Sequence, residues 1–282
     1  MPITRRQKKR LFLALRYFLL VLMLIFILSP ALWLFSTAFK SQPEILKGVP
    51  SFIPAEPTFD NFITAFSEQS IFRSARNSLF VSLSAAVITV FISVPAAYVL
   101  ARFRGVASKV VLGWAILAQM VPFILIIIPL YLIVIRAGFY DNLLGLILVY
   151  TVWSLPYALW MLRNFIMAIP IELEESAAID GASKVQVIRN IIAPLLVPGL
   201  VVTTAFAFIN SWNEFFFALV LIRNPEITPL SLLIVRFIGA NEGVRLGPLA
   251  AAALVATIPS VIAFAFLQKR LSGALIGGAV KG

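Results

Sequence analysis

The sequence predicts an all-α membrane protein with six transmembrane helices. Three observations carry that reading. Of the 282 residues, 61% are hydrophobic and only 12% are charged, against roughly 45–50% and about 25% in a soluble domain. Six stretches without Asp, Glu, Lys or Arg reach the length of about 20 residues that a bilayer demands. They are continuously apolar, which excludes the alternating strands of a membrane barrel. With no water to pair the backbone, each stretch must be a helix. The same composition excludes a soluble globular domain, a disordered chain and a coiled coil.

Residues 1–16 form a basic N-terminus, and the first span covers 17–39. That span is about twice the length of a signal-peptide core and no small-x-small site follows it, so it stays as a helix. An outer loop from Lys40 to Arg76 carries Pro43, Pro50, Pro54 and Pro57. It reads as irregular, with a short amphipathic piece near 59–72. Spans two, three and four cover 77–101, 110–135 and 142–162, with Pro122, Pro129 and Pro156 breaking the last two. A mixed-charge segment, 163–189, precedes span five at 190–213, which extends to about 222. Another outer loop, 223–247, leads to span six at 246–268 and a tail at 269–282. The six-helix domain therefore runs over 17–268. With both termini on one side, 15 of the 23 Lys and Arg fall on that side and 8 on the other. The positive-inside rule then puts both termini in the cytoplasm. The net charge of +11 reads as topology, and a nucleic-acid arm is the lesser alternative. The chain has no Cys and no His, so it lacks thiolate metal sites, disulfides and imidazole chemistry. No acid pair sits within a span, so the usual catalytic groups of an enzyme are missing. No internal repeat of the kind seen in two-half transporters is evident.

The segment 163–189 is the most informative part. Pro170 suits the first turn of a helix. Glu172, Glu174 and Glu175 follow where acids favour the positive helix end. Ala177 and Ala178 continue it, and Gly181 falls where a left-handed residue closes a helix. Ser183, with Gln186 three residues on, forms a capping box for a second helix leading into span five. The result is a short helix, a sharp turn and a new helix. It is either an ordinary hairpin between spans or a rigid docking element.

Glu175-Ser176-Ala177, three residues, Gly181, nine residues and Ile191-Ile192-Ala193-Pro194 resemble the EAA loop of ABC importer permeases. The family pattern is Glu-Ala-Ala-x3-Gly-x9-Ile-x-Leu-Pro; Ser176 and Ala193 depart from it by small or apolar exchange. Ile169-Pro170-x-Glu172-Leu173-x-Glu175, Ile179-Asp180-Gly181-Ala182-Ser183, Trp212-Asn213-Glu214-Phe215 and the ending Gly277-Gly278-Ala279-Val280-Lys281-Gly282 are similar to the carbohydrate-uptake branch. Within it they are closest to the smaller subunit of maltose permeases. The resemblance implies a type I ABC importer permease fold, MetI-like, in a bacterial or archaeal plasma (inner) membrane. It implies a heterodimer with a second permease subunit, two copies of a cytoplasmic ABC ATPase, and an extracytoplasmic solute-binding protein. ATP and Mg would be used by the partner ATPase, with no cofactor bound by this chain. Consistent with that, the chain has no G-x-x-x-x-G-K-[ST] phosphate loop. The lipid bilayer is a partner and nucleic acid is not.

The same resemblance assigns ATPase coupling to Glu175, Ser176, Ala177, Asp180, Gly181 and Ala182. Glu175 would meet a basic group, Gly181 would supply backbone geometry, and Asp180 would cap the turn or touch the ATPase. Small residues let the helix sit deep in a cleft. Asn210, Asn213 and Glu214, at i, i+3 and i+4, are expected on one face of the fifth helix. Glu214 is an acid flanked by apolar sequence, which marks it as a functional candidate. That face, with Trp212 for stacking, would line a sugar path or else form a polar cluster between helices. Gln119 is a further pore candidate. Asn241 and Glu242 correspond in position to a loop that reaches into the binding protein in maltose permeases. The alternatives are the same machine carrying a polyol, a glycerol phosphate or another small solute, and, more distantly, a stand-alone ion-coupled transporter working through Glu214.

Overall fold

A computed structural model describes residues 5–47, 51–68, 70–103, 105–239 and 243–279. In chain order the helices are α1 (Arg5–Ala38), α2 (Gln42–Leu46), α3 (Asp60–Glu68), α4 (Ile71–Arg102), α5 (Val106–Met120), α6 (Phe123–Arg136), α7 (Leu143–Met167), α8 (Glu172–Ile179), α9 (Lys184–Val187), α10 (Ala193–Asn213), α11 (Phe216–Leu221), α12 (Leu230–Ile234) and α13 (Leu246–Ala279). Among the described residues, five helices are long and apolar enough to cross a membrane: Leu11–Ala38, Ile71–Arg102, Leu143–Met167, Lys184–Asn213 and Leu246–Gln268. The third predicted span is a bent pair instead, α5 and α6 meeting at 103°. Val121 is extended (φ −69°, ψ 124°) and Pro122 caps α6. A residue before proline is pushed out of the helical region, and proline itself has no N–H to continue the ladder. Pro129 and Pro156, by contrast, lie inside α6 and α7 without ending them.

The chain forms two compact units. The first comprises residues 1–69 and 236–255. Its core gathers where α1 ends. Asn61 of α3 is buried and donates from Nδ2 to the carbonyls of Ala38, the last residue of α1 (3.0 Å), and of Lys40 just beyond it (2.7 Å). Phe39 packs against Phe59 and Phe62. Gly247 lies so close to Asn61 that a Cβ there would be 2.2 Å from its Oδ1. The proline-rich loop is pinned by Glu44, whose carboxylate accepts from Ser51 Oγ (2.8 Å) and Ala55 N (3.1 Å). Lys40 donates to the carbonyl of Ser51 and lies over Trp33. A two-residue antiparallel ladder pairs Ile238–Gly239 with Gly243–Val244.

The second unit comprises residues 70–235 and 256–282. Here α4, α7 and α10 pack against one another. The α4 face is small and hydroxylated: Ser78, Ser82, Ala85, Ala86, Thr89, Ser93 and Ala97 are all buried. Such residues let helix backbones approach where lipid supplies no hydrophobic drive. One core joins Val81, Leu146, Tyr150 and Leu221 around Phe217, whose ring lies 4.6 Å from Phe123 and 5.4 Å from Trp153. A second core joins Ala97 and Ala101 of α4, Leu162 and Ile166 of α7, and Val187, Ile192 and Leu196 of the α9–α10 segment. It floors the loop that carries α8.

Candidate functional site

The α8 segment is built locally as its sequence dictates. Three acids occupy its first turn, and Pro170 precedes the N-cap Ile171 rather than entering the helix. At the other end Gly181 takes φ +81°. The Ala182 N–H reaches the Ala177 carbonyl (2.9 Å), and the Gly181 N–H reaches that of Ala178 (3.1 Å). That double closure is the Schellman arrangement. Ser183 and Gln186 form the capping box: the Ser183 N–H donates to Gln186 Oε1 (2.7 Å) and the Gln186 N–H to Ser183 Oγ (3.4 Å). The helix then passes through a π-turn, Ile188–Ile192, before α10. Pro194 follows directly and has no N–H to give, and the wider turn accommodates it.

This construction presents Glu175, Ser176, Ala178, Ile179 and Asp180 to the outside, with Ala177 and Ala182 half-buried against the second core. Ile179 is 86% exposed and Val185 73%. The sequence reading missed these two. Their signal was an isolated aliphatic residue on the polar face of a short charged loop. Glu174 turns inward: its carboxylate accepts from Arg102 Nε (2.6 Å) and Tyr98 Oη (2.7 Å).

The second group of candidates is arranged differently from the expectation. α10 stops at Asn213, and Glu214 is extended (ψ 129°). Its carboxylate instead accepts from the N–H groups of Phe217 (3.0 Å) and Ala218 (3.3 Å), capping α11. Its own carbonyl accepts from Ser231 Oγ (2.7 Å). Glu214 therefore does not continue the helix face of Asn210 and Asn213, because α11 claims its side chain. Trp212 is buried, and its Nε1 donates to the Ala256 carbonyl (2.9 Å); it does not stack beside the asparagines.

Asn210 and Asn213 are brought together and are exposed. Their Nδ2 groups donate one turn back, to Phe206 O (3.0 Å) and Ile209 O (2.8 Å), and Asn213 also reaches Ser260 Oγ (3.2 Å). Gln119 is half-buried and lines a groove of about 380 Å³ with Met120, Pro156, Tyr157 and Trp160. The Tyr157 ring lies 5.4 Å from that of Phe206, one turn below Asn210. Asn241 and Glu242 lie outside the described residues. No group of three or more His, Cys, Asp or Glu able to hold a metal occurs among the described residues.

Comparison with known proteins bears on this geometry. Residues 93–276 match the family described as binding-protein-dependent transport system inner membrane component. The diacetylchitobiose uptake system permease protein DasC of Streptomyces coelicolor is 37% identical over 265 residues, covering 93% of this chain and 95% of that one. The trehalose transport system permease protein SugB of Mycobacterium tuberculosis is 35% identical over 256 residues, covering 90% and 93%. Among solved structures, a chain of a bacterial ABC transporter involved in the import of the acidic polysaccharide alginate has the same fold. Its TM-score is 0.80 at 24% identity, over 95% of this chain and 99% of that one. With the family match spanning most of the chain and relatives above 30% identity along nearly all of it, this chain belongs to the family of binding-protein-dependent transport system inner membrane components and is an ABC importer permease.

Proposed function

We propose that this chain forms half of the translocation pore for a sugar or oligosaccharide and receives the drive of a cytoplasmic ATPase through α8. The observation that carries the reading is the build of the α8 loop. A backbone closure at Gly181, a side-chain capping box at Ser183 and a buried core hold it rigid, while Glu175, Ser176 and Ile179 are exposed. An aliphatic side chain exposed beside a carboxylate on a short rigid helix suits a cleft with an apolar floor and a basic rim. ATP and Mg act on the ATPase, which hydrolyses; this chain transmits. A second, related permease subunit completes the pore, two ATPase copies bind beneath with both termini, and an extracytoplasmic binding protein delivers the solute from the opposite side.

Asn210, Asn213 and Ser260, together with the groove of Gln119, Tyr157 and Trp160, supply amides, a hydroxyl and aromatic faces at membrane depth. Those are the groups a sugar recognises, and the named solutes of the relatives, diacetylchitobiose and trehalose, are sugars. The test is purification of the tagged chain from its own membrane in mild detergent, followed by mass spectrometry. A second permease of similar size and an ATPase are expected with it. Glu175→Lys is expected to lose the ATPase while the chain stays in the membrane. A chain that emerges alone and transports sugar in liposomes without ATP would sink the proposal.

A further inference from the structure

Adjacent acids on α8 point opposite ways, and the inner one is fastened to a helix 72 residues away in sequence. Glu174 Oε1 lies 2.6 Å from both Nε and one terminal nitrogen of Arg102, and Oε2 accepts from Tyr98 Oη at 2.7 Å. The same terminal nitrogen of Arg102 donates to the Ile169 carbonyl (3.0 Å), just before α8 begins. Only 12% of the Arg102 side chain and 11% of the Glu174 side chain are exposed. Tyr98 and Arg102 occupy the last turns of α4, and Tyr98 packs against the core formed by Ala97, Ala101, Ile166, Ile169 and Val187.

A guanidinium holding a carboxylate while also bonding a backbone carbonyl fixes position and angle together. A hinge would have few buried contacts and solvent-exposed hydrogen bonds. This junction has the reverse. α8 is therefore joined to the bundle twice: along the chain to α7 and α10, and across space to the end of α4. α4 carries a buried polar face that includes Ser78, Ser82, Thr89 and Ser93, so a push on α8 reaches that face without passing through a loop.

We infer that Glu174, Arg102 and Tyr98 form the linkage that makes α4 move as one body with α8, Glu174 and Arg102 being positioning residues for coupling. The inference rests on α8 being the element that receives the ATPase, and it adds the route by which the motion enters the membrane. If the pair served stability alone, its loss would lower the yield of complex without changing how the surviving complex answers nucleotide.

The chain has no native cysteine, so Val99→Cys on α4 and Leu173→Cys on α8 can carry a spin-label pair in the assembled importer. Dipolar EPR is recorded without nucleotide and with the ATP analogue AMP-PNP plus Mg. In the otherwise unaltered chain one narrow distance is expected, the same in both states. Glu174→Gln is expected to retain the ATPase yet give a broadened distance that shifts on nucleotide, since α8 follows the ATPase and α4 lags. Arg102→Lys, which keeps a cation and a donor at this position, is expected to give a narrower and less nucleotide-dependent distance than Glu174→Gln. A Glu174→Gln complex with the unaltered distribution in both states overturns the inference. So does a broadened Glu174→Gln distance that does not shift on nucleotide. Failure of the unaltered chain to bring down any ATPase overturns the underlying reading instead, and is seen before a variant is made.

Discussion

Gly181 is where backbone geometry alone should set function. Its φ is +81°, and a Cβ built there meets nothing within 4 Å. Crowding is therefore absent, and the penalty for a side chain is the left-handed conformation itself, about 1–2 kcal/mol for an ordinary L-residue. That converts to roughly a 5- to 30-fold shift between the closed turn and its alternatives. The two closing bonds, from Ala182 to Ala177 and from Gly181 to Ala178, would open with it. Substitutions should rank by tolerance of positive φ: Asn is mild, Ala intermediate, and Val the worst because it is β-branched. The assay is amide hydrogen exchange at Ala182 in the purified complex, beside retention of the ATPase. Exchange should accelerate in that order, and ATPase retention should fall in the same order. If Asn, Ala and Val are alike in exchange and assembly, the turn does not depend on positive φ at Gly181.

Three further outcomes follow from the packing. Gly145→Ala puts a Cβ 2.2 Å from the Phe139 carbonyl oxygen, so the melting temperature in detergent should fall in line with an overpacking cost of about 1–3 kcal/mol. Trp212→Phe removes the donor to Ala256 O and should cost about 0.5–1.5 kcal/mol of stability with no change in the KM of sugar uptake; a raised KM at unchanged stability would mean the indole touches solute. Glu214→Ala strips the cap from α11 and should destabilise by about 0.5–2 kcal/mol, measured by thermal melting, whereas Glu214→Gln should transport normally, which an ion-coupled carrier working through that carboxylate would not.

Local features were legible in the sequence and non-local ones were not. The apolar runs fixed where long helices lie because a bilayer-length stretch has one way to pair its backbone. The Gly181 turn and the Ser183–Gln186 box were legible because every atom in them belongs to residues six apart or fewer. The end of α10 at Asn213 was not, since nothing in Trp212-Asn213-Glu214-Phe215 forbids a helix. The carboxylate leaves it because Phe217, gathered among Phe123, Trp153 and Tyr150, holds α11 in place to be capped. The 103° bend at Val121 was half legible: Pro122 announced a disruption, but Pro129 and Pro156 announced the same and their helices continue. Glu174 and Glu175 are indistinguishable in a sequence. Arg102 and Tyr98 on α4, four helices earlier, separate them.

The treatment of polar groups at membrane depth argues that the α10 face of Asn210 and Asn213 does not meet lipid. Hydroxyls on the α4 face are small and buried between helices: Ser82 Oγ donates along its own helix to Ser78 O at 2.6 Å, Thr89 Oγ1 donates across to Thr151 O at 3.4 Å, and Ser93 Oγ has no partner among the described residues. A carboxamide has two N–H donors and an acceptor oxygen. Asn210 and Asn213 each spend one donor on the preceding turn, and the hydrogen bonds among the described residues leave both side-chain oxygens without a donor. Each unsatisfied polar group facing hydrocarbon costs several kcal/mol. Two such groups lie on one exposed face, a turn from Tyr157 and its groove. That face therefore requires water, a sugar hydroxyl or a polar group of a second subunit. Asn210→Leu with Asn213→Leu should accordingly leave the chain folded, with a melting temperature equal to or above that of the unaltered protein, while abolishing sugar uptake. A stable double variant that still transports would return the face to the lipid.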